Sequence, residues 1–253
     1  MNFSRFSLTL AGLCVLLIGT VLFFPRIMSR SARSQENVEP AILKRTDLPV
    51  VNYTPKDEPS EIMARGPEGA RQWKRQASFD RRGGKLNERS GYVCDLPLSH
   101  GSLDMQTLMA RSDAIVTAGI ATAEALLSPD RTGVFSQFSA SVVEVLKGEV
   151  RPGEVITLVR NGGLVRFPSG VLVGRGVCYE TMPLVSRTYI FFLKHRPDTK
   201  DYHVVTGYEL KDGTISALDG IDLTTGTVLQ RLRPYDGLEQ RQFLSMVKAE
   251  GAR

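Results

Sequence analysis

Residues 6–25 carry no charge, and residues 8–24 are almost wholly apolar. About 20 such residues span the ~30 Å hydrocarbon layer as a helix. A stretch like this has no place in a water-facing domain, so whatever folds must lie behind it. Arg5 precedes the run, and Arg26, Arg30 and Arg33 follow it. A cleaved signal peptide has a shorter apolar run of roughly 7–15 residues and a small-residue exit. Here the run is long and leaves through Phe24-Pro25-Arg26-Ile27-Met28, which reads as an uncleaved signal anchor, a single transmembrane helix. Ala11-Gly12-Leu13-Cys14 has the outline of a lipidation signal, but Leu13 is too large before the cysteine and the apolar run continues past it. The basic C-terminal flank favours a cytoplasmic body, whereas long trailing domains translocate largely regardless of flanking charge. An extracytoplasmic body on a single-pass anchor in the cell membrane is expected.

The formal net charge of +5 is unevenly distributed. Residues 26–90 hold 14 Lys and Arg against 9 Asp and Glu, while residues 91–253 hold 17 against 18. The basicity therefore sits behind the anchor. The near-neutral remainder argues against a nucleic-acid-binding domain, whose folded face should be basic. Residues 26–90 read as a Pro-rich, largely disordered linker: prolines recur and apolar residues show no sustained period. A short helix is expected within residues 61–79, where Trp73 lies among Arg71, Lys74 and Arg75. That cluster suits either a solvated linker with the indole tucked on the body or a contact with anionic headgroups.

From residue 91 onward the pattern becomes that of a mainly β domain. Ser102 is a candidate cap for a short helix ending by Ser112, with Asp104 in its first turn. Residues 113–127 and 134–147 read as strands separated by a Ser128-Pro129-Asp130 turn. Phe138, Ala140 and Val142 alternate with Gln137, Ser139 and Ser141, the period of a half-buried strand. Further strands are expected over 154–159, 188–193, 202–210, 214–217 and 227–232. Asp212-Gly213 marks a tight hairpin. Residues 161–187 read as an irregular, glycine-rich loop. Residues 236–249 suit an amphipathic helix on Leu238, Leu244 and Val247, with Phe243 at the edge. So many short strands in one domain must protect their edges, so a small β-barrel is expected over 91–253, with a sandwich as the alternative.

Three stretches resemble the netrin-like module, the OB-type barrel of tissue inhibitors of metalloproteinases and similar to bacterial envelope proteins of unassigned role. They are Ala110-Arg111-Ser112-Asp113-Ala114-Ile115-Val116-Thr117-Ala118-Gly119, Val142-Val143-Glu144-Val145-Leu146-Lys147-Gly148, and Thr188-Tyr189-Ile190-Phe191-Phe192-Leu193 behind a glycine-rich segment containing Cys178. The resemblance covers residues 92–220. It implies an exported, OB-like barrel that binds a protein or glycan. Inhibition of a metalloprotease does not follow, because those inhibitors chelate zinc with an exposed N-terminal cysteine and this chain has a long tether before Cys94.

Chemistry is sparsely signalled. Cys94 and Cys178 form either a disulfide, if the body is exported, or two separate buried thiols; no cysteine–histidine pattern marks a metal. His195 and His203 could meet across a hairpin, with Asp201 nearby, which leaves a hydrolase or metal-dependent enzyme as the alternative function. Asn161-Gly162-Gly163 and Val173-Gly174-Arg175-Gly176 match no phosphate-binding loop, so no cofactor and no catalytic residue is assigned. The leading expectation is a membrane-anchored binding or scaffold module of the cell envelope, its partner another envelope protein or a glycan. The 161–187 loop would supply the contact through Arg166, Phe167, Arg175 and Tyr179, unless Phe167 and Tyr179 belong to the core.

Overall fold

The computed structural model describes residues 48–54, 64–80, 84–89, 91–95 and 103–251. The apolar segment 6–25, Cys14, Ser102 and His100 lie outside them. The described elements in chain order are β1 (Val50–Asn52), α1 (Gly66–Ala77), β2 (Tyr92–Asp95), α2 (Met105–Arg111), β3 (Ala114–Leu127), β4 (Val134–Lys147) and β5 (Val155–Asn161). They continue with β6 (Gly163–Arg166), β7 (Leu172–Val177), β8 (Thr188–Arg196), β9 (Asp201–Lys211), β10 (Thr214–Ala217) and α3 (Gln240–Gly251). Among the described residues no helix is long and apolar enough to cross a membrane.

The fold is mainly β, and its larger sheet bends back on itself. β3 pairs with β4, β4 with β5, and β8 with β3, all antiparallel. β9 then pairs with both β8 and β5, which joins the two ends. The join to β5 is parallel and short, running only through Leu158↔Tyr202 and Val159↔His203. Closure is therefore thin along one seam. Register shifts along β3 between Ile115/Val116, Thr117/Ala118 and Ile120/Thr122 supply the coiling that long paired strands need to close.

The side-chain pattern explains the strand sequences. Phe138, Ala140 and Val142 point into the barrel beside Ile156, Leu158, Phe191 and Leu193. β8 is apolar over residues 189–193 because both faces of the strand are covered there. Tyr189, Phe191 and Leu193 join the interior, while Ile190 and Phe192 pack under α2 and α3 with Tyr208, Phe243 and Val247. Phe243 is fully buried at the centre of the α3 contact, not at its edge. Asp104 caps α2, its carboxylate accepting from the Thr107 amide at 2.7 Å. Asp212 and Gly213 both take positive φ, 50° and 79°, in the β9–β10 turn, as a tight hairpin requires. Residues 227–232 hold an isolated bridge, Ile221↔Val228, and a 3-10 turn at Gln230–Leu232 where a strand is expected.

Two larger departures concern the segments read as irregular. Residues 161–187 are not a loop: β6 and β7 form a hairpin. Gly162 permits it with a φ of +105°, where a Cβ would meet the Arg175 carbonyl oxygen at 2.7 Å. The hairpin is extended on one side by the supposed linker, β1 joining β6, and on the other by β2 from the start of the β domain, joining β7, both parallel. Leu86, Ala125, Val134, Val165, Phe167 and Val173 fill the space beneath it. The linker reading undercounts these residues because Val50, Val51 and Leu48 are too few to show a period alone. Leu48 is buried, and Val51 partly so, by partners more than a hundred positions away, while Val50 stays exposed.

Cys94 and Cys178, 84 positions apart in sequence, are joined by a disulfide with Cα atoms 4.9 Å apart. It ties β2, otherwise held only by β7, to the end of that strand. Closing so long a loop restricts the unfolded chain most. Reduction, or Cys94→Ser, is expected to lower stability by about 2–5 kcal/mol. Chemical denaturation with and without reductant measures this, alongside the absence of a reactive thiol at either position in the native chain.

Candidate ligand cleft at the barrel seam

The thin β5–β9 seam is covered from outside by α1. Gly66 and Pro67 start this helix, Glu68 occupies its first turn, and Lys74 and Arg75 its last, each charge favourable to the helix dipole. Arg75 is buried and reaches across the seam. Its Nε donates to Asp201 Oδ2 at 2.5 Å, its Nη1 to Gln137 Oε1 at 3.0 Å, and its Nη2 to the Thr199 carbonyl at 3.1 Å. One guanidinium thus ties together β4, the β8–β9 turn and the start of β9. Asp201 is wholly buried and also faces Arg196, whose Nε lies 3.3 Å from Oδ1. Just beyond α1, Phe79 stacks on Phe135 with ring centroids 4.1 Å apart. Arg196 lies over the other ring of that stack, 5.3 Å from the Phe79 centroid, and donates to Ser78 Oγ at 2.7 Å.

Between α1 and the strand ends lies an open cleft of about 750 Å³, within the size range of small-ligand sites. One wall is Trp73, Lys74, Ala77, Ser78 and Phe79; the other is Asn161, the β8–β9 turn from His195 to Thr199, and His203. Several lining groups have no polar partner among the described residues: the Lys74 ammonium, the Asn161 amide and the imidazoles of His195 and His203. The His195 ring rests against Tyr202 at 5.0 Å while its backbone amide donates to Asp113 Oδ2 at 2.9 Å. Lys194 pairs with the other oxygen of Asp113 and holds that carboxyl below its usual range.

His203 sits in a positive field. Burial, then Arg160 and Arg196, push its pKa down to about 4, so the ring is neutral at ordinary pH. Arg160 is itself fully buried and pairs with Asp219, which also accepts from Thr206 Oγ1 and the Thr181 amide.

The four residues expected to form a contact surface do not come together. Arg166 is exposed at the end of β6, whereas Phe167 is buried and stacks on Tyr53 at 4.6 Å. Arg175 donates to the Thr132 carbonyl at 2.7 Å, bracing the small sheet. Tyr179, with a φ of +66°, packs into the α2–α3 side of the core. The core alternative holds for both aromatics. His195 and His203 do share the cleft, but Asp201 is held by Arg75 and Arg196 and offers no third group. No cluster of three or more His, Cys, Asp or Glu among the described residues could hold a metal ion. Trp73 and Lys74 are noted in the sequence as a basic cluster and Asn161 in a glycine-rich turn, but nothing there assigns the three to one site.

Compared with protein-family models and with curated proteins, the chain matches none.

Two outcomes follow from this geometry. Arg75→Ala leaves Asp201 buried with a single imperfect partner and should cost about 3–5 kcal/mol. Arg71→Ala removes only an exposed pair with Glu68 and should cost under about 1 kcal/mol. Hydrogen exchange should show protection lost first over residues 64–80 in Arg75→Ala. Second, an unfolded histidine titrates near 6.5 and His203 near 4, so the unfolded chain binds the extra proton between these values. Stability should fall as pH drops through that window, by on the order of 2–3 kcal/mol, and His203→Gln should remove that part of the pH dependence in denaturation curves.

Proposed function

We propose that the protein is a membrane-anchored, exported binding or scaffold module of the cell envelope, and that the seam cleft is its contact site. Residues 6–25 would hold it in the bilayer, and the body would face outward. A five-strand, partly open barrel is the form of the OB-type fold, whose ligands bind on one strand face and the adjoining loops. The ring β3–β4–β5–β9–β8 fits that description and so supports the resemblance to netrin-like modules.

The observation that carries the reading is the set of unpartnered polar side chains around Trp73. Arg75 and Arg233, both buried, are committed to protein partners, whereas exposed Lys74 and His195 and partly buried Asn161 and His203 converge on the cleft and are open to a ligand. The lining brings no nucleophile together with a base and an orienting group, which favours binding over turnover. The partner would be a glycan or another envelope protein rather than nucleic acid, because the described lining carries Lys74 and Arg196 against Asp198 rather than a continuous basic groove.

Fusion of an alkaline phosphatase reporter after Arg253 tests location. The fusion should be active and membrane-bound; a well-expressed but inactive fusion overturns the exported body. Removal of residues 6–25 should release the chain from the membrane fraction.

A further inference from the structure

We propose that the seam cleft binds an anionic saccharide chain, with Trp73 as the stacking platform and Lys74, Asn161, His195 and His203 as its polar contacts. This rests on the reading of the protein as a binding module and gives its ligand a chemistry.

Three physical features select a saccharide. The first is the mix of donors and acceptors. A neutral imidazole offers one of each, and a carboxamide two donors and an acceptor. Vicinal sugar hydroxyls, which also do both, match such groups. Burial, with the positive field of Arg160 and Arg196, keeps His203 unprotonated and preserves its acceptor. The second is the half-buried indole at the wall: an amphipathic ring with an apolar face suits the C–H face of a pyranose.

Charge supplies the third. Among the described residues that line the cleft, Lys74 and Arg196 stand against Asp198, two cations facing one carboxylate, while Arg75 and Asp201 are buried against each other. That small excess complements a sparsely charged chain, one carboxylate within reach, with Lys74 as the free cation. A nucleic acid carries a phosphate at every nucleotide and calls for a basic groove tracking its backbone, which this cleft lacks. A peptide added as a strand would need a continuous free edge; β8 is paired with β3 and β9, and β5 is paired with β4 on one side and interrupted by its two-pair join with β9 on the other.

Trp73 is the chain's only tryptophan, so its fluorescence reports on the cleft without labelling. The full chain in detergent micelles is titrated with tetragalacturonate, neutral chitotetraose, tetraglutamate and hexathymidylate, with calorimetry in parallel. Tetragalacturonate should give a saturable fluorescence change, and chitotetraose binding at least about tenfold weaker. Lys74→Glu and Asn161→Ala should each weaken tetragalacturonate about tenfold or more, with thermal midpoints unchanged. Equal binding of chitotetraose, tighter binding of hexathymidylate or tetraglutamate, or no heat and no fluorescence change with tetragalacturonate overturns the proposal. A photo-crosslinking phenylalanine analogue in place of Lys74 separates the two readings. Capture of a membrane-fraction protein in cells, with no saccharide bound, removes the saccharide and keeps the binding module. No capture and no binding removes both.

Discussion

A single buried guanidinium decides how this barrel is completed. The β5–β9 seam is only two residue pairs long, too little backbone pairing to define a closed wall. Arg75 spans it from outside, bonded to Gln137 on β4 and to Asp201 and Thr199 at the start of β9. Burying a charge is costly unless its partners are complete, and a buried ion pair adds little net stability over an apolar substitute. What it does supply is a defined seat. An aliphatic residue could fill the same space in several registers, whereas five donors facing three acceptors fit one. The stack of Phe79 on Phe135 and the Arg196 guanidinium over it fix the same position from the next turn of chain.

The cleft follows from that seat. A strand pairing continued past Val159 and His203 would seal the barrel and leave no space between helix and sheet. Because pairing stops there, Asn161 and His203 face the underside of α1, and the β8–β9 turn brings His195 and Arg196 to the same rim. The field at His203 arises from charges serving structural ends: Arg196 braces Asp201 and Arg160 braces Asp219. Binding capacity and barrel closure thus share residues.

The sequence made the barrel strands legible because each has a period or a pair of turn signals of its own. β4 could be bounded at Val134 and Lys147 from alternation alone, and the β9–β10 hairpin from Asp212-Gly213. Where the outcome depends on distant partners, local pattern misleads. β1 has three residues, and its partner β6 begins at Gly163. Arg75 reads as one more charge in a basic linker, since nothing within a window around it reveals Asp201. Phe167 reads equally as a contact residue or as core, and only the distant Tyr53 stacked on it decides for the core. The cleft was half visible, through His195, His203 and the company of Trp73, and its other wall became apparent only once α1 was placed.

The pairing of β1 with β6, of β2 with β7, and of α1 with residues 199–201 has a consequence for the order in which the molecule can be made. Every described element before residue 100 waits for a partner beyond residue 160. A chain growing from its N-terminus therefore makes β1, α1 and β2 before the strands that receive them exist. Non-local closure of this kind is slow, and α1 cannot take its seat until Thr199 and Asp201 are in place.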